Sequence, residues 1–202
     1  FVGCATINDN PENLATKITQ ELKLKKNWNK NNPGTFNVLR EAISNLGILV
    51  MQNGVVGNNN HRVLNVAEFR AFVLIDEYVP LIFLNARDSA NAKVFSLCHE
   101  LVHIWLGVDE LYNDNFTTTQ IFNNGQLESF CNEVAAEMLL PLSSIQSALD
   151  PQNDIYTNIK HISKVFNVSE LVVCIRLKTK KFINAKVFNE VYANLLIEMR
   201  EN

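Results

Sequence analysis

The chain is 202 residues long, 47% hydrophobic, and carries a formal net charge of −3. That apolar content suffices for one packed core, and neither a bilayer-spanning apolar run nor a basic, then apolar, secretory start is present, so a soluble, cytoplasmic protein without membrane partners is expected. Cys4, Cys98, Cys131 and Cys174 show no CxxC pairing, and a core of this size needs no disulfide staples, which predicts reduced thiols. The opening residue is Phe1 rather than Met, which is compatible with an upstream module.

Asn10 and Pro11 mark the start of a first helix, the asparagine as cap and the proline in the first turn, with Leu14, Ile18 and Leu22 following at intervals of four. Residues 23–34 are rich in Lys and Asn and close on Pro33-Gly34, a loop signal, after which Thr35 opens a second helix that stops at Gly47. Residues 48–52, 69–75 and 81–85 are short apolar runs and predict a small antiparallel three-stranded sheet, with the Gly- and Asn-rich residues 52–60 as an exposed loop. From Asp88 or Ser89 the period becomes helical, through Val94, Phe95, Cys98, Leu101, Val102 and Trp105, and Gly107 is the stop. Residues 108–126 read as a loose polar connection and 127–140 as a helix ended by Pro141. The remainder reads as helical, with turns near Pro151 and Asn167.

Residues 98–105 spell CHELVHIW and contain HExxH inside a stretch whose period is already helical. Positions four apart on a helix differ by about 40° of rotation and 6 Å of rise, so His99 and His103 can present both imidazoles to one ion. Glu100 stands beside them without competing as a ligand. This donor set suits a zinc endopeptidase in which the metal activates water and Glu100 acts as general base and then as proton donor to the leaving amine. His61 and His161 stand alone and read as surface or core residues.

A catalytic zinc needs a third protein ligand and an open position. With Glu128 as angular origin, Leu127, Cys131, Val134, Ala135, Met138 and Leu139 span roughly 240° to 20°, whereas Glu133 and Glu137 fall at about 140° and 180°, on the side expected to face water. Glu128, at the edge of the apolar face, is the expected ligand, and Asn132 four residues on is placed to hydrogen-bond and orient a ligand. Asp109 competes from the offset of a metzincin's last histidine, but Leu106 stands where that motif needs glycine. The expected fold class is therefore α+β, with the antiparallel sheet packed on a zincin-type active-site helix. Residues 1–142 would form the metallopeptidase domain and 143–202 a C-terminal, helix-turn-helix-like segment packed on it.

Beyond the motif, the block ESFCNEVAAEMLLP at 128–141 and the segments VFNVS at 165–169 and RL at 176–177 resemble the ImmA/IrrE family of metallopeptidases. Residues 15–24, 36–50, the run PLIFLN at 80–85 and VFSLCHELVH at 94–103 extend the resemblance over roughly residues 12–185. The glutamate it carries over is Glu128. The chain departs from the family pattern at Val102, where glycine is usual, and at Lys93, where arginine is usual. The resemblance implies a gluzincin-like cytoplasmic zinc protease that cleaves a specific repressor protein. Because many members carry an N-terminal helix-turn-helix region, it also implies a possible DNA-binding partner domain upstream.

Two other classes fit parts of the chain. A catalytically inactive zinc-binding regulator would use the same ligands, although a structural site is usually closed by a fourth protein ligand and has no need of Glu100. Residues 155–183 resemble a helix-turn-helix with Arg176, Lys178, Lys180 and Lys181, and residues 150–186 carry a net +4, which would suit DNA. The alternative is that Val165, Phe166, Leu171, Val172 and Ile175 pack inward while the lysines are solvated. An extended substrate is expected to pair with a sheet edge, residues 81–85 being the first choice. The donor that stabilises the oxyanion stays open among Tyr112, His61 and Arg87, as do the substrate and the oligomeric state.

Overall fold

The computed structural model describes residues 1–57, 59–108 and 118–201, the side chains within 118–124 and 199–201 excepted. Helix α1 (Pro11–Glu21) starts as its cap signal predicts: the Asn13 N–H donates to Asn10 Oδ1 at 3.0 Å, and Leu14, Ala15 and Ile18 are buried. Helix α2 (Thr35–Asn45) buries Leu39 and Ile43 and leads into strand β1 (Leu49–Asn53).

The sheet is mixed, not antiparallel. Its order is β1, β5 (Leu81–Asn85), β4 (Ala71–Leu74), with β1 parallel to β5 and β4 antiparallel to it. The long connection from residue 53 to residue 81 lets β5 return in the direction of β1 and insert as the middle strand. Its composition fits that place: Ile82 and Leu84 are fully buried, while Leu49 and Met51 on the outer strand are nearly half exposed. Residues 52–60, read as a loop, instead contribute to a small exposed ribbon in which β2 (Val55–Val56) pairs with β3 (Asn59–Val63).

Helix α3 (Ala90–Leu106) is the centre of the molecule. Ser89 Oγ accepts from the Ala92 N–H, and Gly107 closes the helix at φ +67°. Leu97, Cys98, Leu101, Val102, Ile104 and Trp105 have no exposed surface, because α3 is covered by the sheet, by α2 and by α4 (Thr118–Leu139). Carbonyls at its C-terminal end are satisfied from the chain's start: Gly3 N–H donates to Ile104 at 3.1 Å and Ala5 N–H to Trp105 at 2.9 Å.

Helix α4 begins at Thr118, well before the expected residue 127. Thr, Asn and Gly at 118–125 are weak helix formers that hide this extension from a sequence reading. Short α5 (Leu142–Ala148), α6 (Ile155–Phe166), α7 (Glu170–Thr179) and α8 (Ala185–Glu201) complete the chain. Asn167 takes the left-handed turn between α6 and α7 at φ 53° and reaches back to the 23–34 loop, its amide donating to the carbonyls of Asn29 and Asn32. In return, buried Asn29 donates through Nδ2 to the last-turn carbonyls of α4 and α6, Leu139 at 2.8 Å and Phe166 at 2.7 Å. The loop that composition marks as a polar connection thus ties the ends of α4 and α6 together.

Candidate metal centre

Helix α3 carries His99 and His103 on its one partly open face, and α4 crosses it so that Glu128 closes over them. The two Nε2 atoms are 3.1 Å apart; Glu128 Oε2 is 3.2 Å from His99 Nε2 and Glu128 Oε1 is 3.3 Å from His103 Nε2. These three residues are the one cluster among the described residues whose donor atoms all lie close enough to share an ion. Tetrahedral coordination with metal–ligand bonds near 2.0–2.1 Å needs donors about 3.3 Å apart, so the set fits a zinc-sized ion.

The orientation of His99 is fixed from behind. Its Nδ1 lies 3.1 Å from Asn132 Oδ1, the geometry of an Nδ1–H donating to the amide oxygen. That tautomer leaves the Nε2 lone pair toward Glu128 and His103. His103 is fully buried and His99 mostly so, the latter with Phe95 beside it at a ring separation of 6.4 Å.

Glu100 lies on the same turn, next in sequence to His99. It is 4% exposed, and its Oε2 has no hydrogen-bond partner among the described residues. Burial pushes its carboxyl up from the ordinary range, the imidazoles of His99 and His103 pull it down, and Glu128 adds a smaller upward push. A buried carboxylate oxygen without a partner is costly to fold around, which marks Glu100 as a candidate for chemistry. It borders a cavity of about 360 Å³ that also touches His99, Asn132 and residues 66–71, the segment entering β4.

The expected residues are therefore brought together: His99, His103, Glu100, Glu128 and Asn132 share one locus. His61 lies exposed on β3, His161 and Arg87 are exposed, and Asp109 and Tyr112 lie outside the described residues. One expectation is overturned. Glu137 does not face water but is 7% exposed, paired with the buried Arg176 of α7 and 3.4 Å from Lys180. Angular position on α4 alone misleads here because α1 and α7 cover the side that a two-layer picture leaves to solvent. The signal that was available is the unbroken apolar run around Glu137, from Val134 to Leu140, all of it buried.

The sequence model of the Peptidase M78 family, described as the IrrE N-terminal-like domain, matches residues 43–178, most of the chain and every residue of this cluster. The chain belongs to the Peptidase M78 family. No curated protein matches it. Among solved structures, a Mycobacterium tuberculosis transcriptional regulator superposes with a TM-score of 0.52 at 16% sequence identity, over 83% of this chain and 46% of that one. This M78 chain thus spans less than half of that regulator, and at this identity the likeness concerns the fold alone.

Proposed function

We propose that this M78 chain is a zinc-dependent endopeptidase acting on a specific protein. The observation that carries the reading is the approach of two imidazole Nε2 atoms and one carboxylate to tetrahedral spacing beside a buried carboxylate whose Oε2 has no hydrogen-bond partner among the described residues. His99, His103 and Glu128 would hold the zinc, which would supply Lewis-acid chemistry to the scissile carbonyl and to water. Glu100 would take the proton of the attacking water and return it to the departing amine, its carboxyl shifted upward chiefly by burial. Asn132 holds His99 in the ligating tautomer. The substrate class that the family resemblance favours is a transcriptional repressor, and the regulator with the similar fold is compatible with that setting. In this reading residues 1–142 form the catalytic domain, on which 143–202 pack.

Elemental analysis tests the site first. We expect about one zinc per chain, lost in His99→Ala and reduced in Glu128→Ala, with Asp109→Ala unchanged. Wild-type protein that retains no metal after loading would sink the peptidase reading.

The residues 81–85 that sequence favours as docking edge are the middle strand, paired on both sides, and cannot accept another. The edge next to the centre is β4. Because Asn85 N–H donates to Arg70 C=O, residues 70, 72 and 74 face β5, and Ala71 and Val73 turn their backbone groups outward. An extended substrate would add there as a further strand. Ala71→Pro removes one outward N–H without touching the ladder. Cleavage of a protein substrate should fall at least about tenfold, the worth of a hydrogen bond or two, with zinc content and thermal midpoint retained; unchanged cleavage would exclude this edge.

A DNA-binding role for residues 155–183 gains nothing from the geometry. Arg176 is buried, Lys180 is engaged by Glu12 and Glu137, and Lys178 lies over the Phe188 ring at 4.2 Å.

A further inference from the structure

Between Glu21 and Glu41 the chain holds five cations, Lys23, Lys25, Lys26, Lys30 and Arg40, and no acidic residue, although its net charge is −3. Part of that run forms one wall of a cavity of about 450 Å³, which α1 and the junction of α4 with α5 complete. None of the metal-centre residues borders it; Glu137, which does, lies about 13 Å along α4 from Glu128 at 1.5 Å of rise per residue. Its volume is in the range of small-molecule sites. The loop wall has its shape before any ligand arrives. Lys23, Asn27 and Asn31 take left-handed φ of 53°, 55° and 51°, Trp28 N–H donates to Lys25 C=O at 3.1 Å, and Asn29 is tied to α4 and α6. A preformed wall lowers the ordering cost of binding.

Donors and acceptors are segregated by element. On the loop, Lys25 and Lys26 have no ion-pair partner among the described residues, and Asn27 Oδ1 accepts from Ser144 Oγ at 2.7 Å, so that the Asn27 amide N–H groups remain to be donated. On α1, the Thr16 and Thr19 hydroxyls donate to the carbonyls of Glu12 and Ala15, at 2.8 Å and 2.9 Å, which leaves them as acceptors. Glu137, the carboxylate in the lining, is neutralised: Oε1 accepts from Leu142 N–H at 3.3 Å and Oε2 pairs with Arg176 and Lys180. Much of the remaining wall is apolar, from Ala15, Leu24, Trp28, Met138 and Pro141. Two adjacent lysines beside a donor amide match the charge and acceptor oxygens of a phosphate. An indole next to alkyl surface matches a flat ring, and the threonine acceptors match the hydroxyls of a sugar or the amino group of a base.

We infer that this cavity binds a mononucleotide, its phosphate held by Lys25, Lys26 and the Asn27 amide and its base laid against Trp28. The zinc-loaded full chain is titrated by calorimetry with AMP, GMP, CMP and UMP, with the four nucleosides, with inorganic phosphate and with a deoxyadenosine oligomer. At least one mononucleotide should bind about tenfold or more tightly than its own nucleoside and than inorganic phosphate, because only the whole molecule reaches both the lysines and the indole. Lys25→Gln combined with Lys26→Gln, at two exposed positions, should bring that nucleotide within about threefold of its nucleoside and leave the thermal midpoint unchanged. Binding should also change the tryptophan fluorescence, and Trp28→Phe should abolish the change, since the other tryptophan, Trp105, is fully buried. Absence of binding by all four mononucleotides would overturn the inference, as would binding of the oligomer alone. Equal affinity for the nucleoside or for inorganic phosphate would do the same. So would full affinity in the double lysine variant, the result that coordination of the phosphate by zinc would give, or a fluorescence change that survives Trp28→Phe.

Discussion

Glu100→Gln should lower the rate of peptide cleavage by about 10²–10⁴-fold, the usual worth of a positioned general acid–base, while leaving one zinc bound and the thermal midpoint no lower than in wild type. The two halves of that expectation come from one feature. The carboxylate is buried, its Oε2 has no hydrogen-bond partner among the described residues, and burial is the largest influence on its pKa. A neutral amide of the same shape is cheaper to bury than a charge, so the substitution removes a cost of folding as it removes the base. Kinetics, elemental analysis and a melting curve on the same preparation check all three. Loss of zinc together with activity would reassign Glu100 from proton transfer to holding the site together.

Glu137→Ala should destabilise the protein by about 3–5 kcal/mol, because it leaves the buried Arg176 uncompensated, and Arg176→Ala should cost less, because Lys180 still lies 3.4 Å from Glu137. The pair joins α4 to α7, Arg176 is 1% exposed, and its guanidinium also binds the Leu140 carbonyl where α4 ends. Against a total stability on the order of 5–15 kcal/mol, that loss is a large share of the whole. Arg176→Lys should rescue little, since one ammonium cannot reproduce the fork that serves Leu140 and Glu137 together. Urea unfolding of the two single variants and of the double variant gives the coupling between them. Single losses under about 1 kcal/mol, the range of a solvated pair, would mean that the ion pair is open to water in solution.

Much of the site was legible because its spacing is chemistry. A spacing of four from His99 to His103 on a helical period already implies one ion and one face, and the edge position of Glu128 needs nothing beyond 100° per residue. The caps at Asn10 and Ser89 and the stop at Gly107 were legible for the same reason: each is a local hydrogen-bonding or backbone requirement. What sequence did not yield depends on partners distant along the chain. Strand runs show no direction, so the parallel pairing of β1 with β5, and with it the true free edge at β4, emerges only from the connection between them. Glu137 reads as solvated until α1 and α7 are laid over it. The start of α4 at Thr118 lies in residues whose own preference is against helix.

The 23–34 loop has a further bearing, on how the chain tolerates change. Polar surface connections are where insertions are ordinarily accepted, but acceptance depends on what the backbone and side chains there are bonded to. Here Asn29 is 1% exposed and caps the ends of α4 and α6 from a single amide, and Asn167 grips the same loop from the other side. One residue added between Asn27 and Asn32 would pull that amide away from both carbonyls at once, and two helix ends would lose their closure. The segment thus acts as a spacer of fixed length. Among relatives its residues can drift in identity only where an asparagine side chain is not in use, and its length has far less room to drift than its composition suggests.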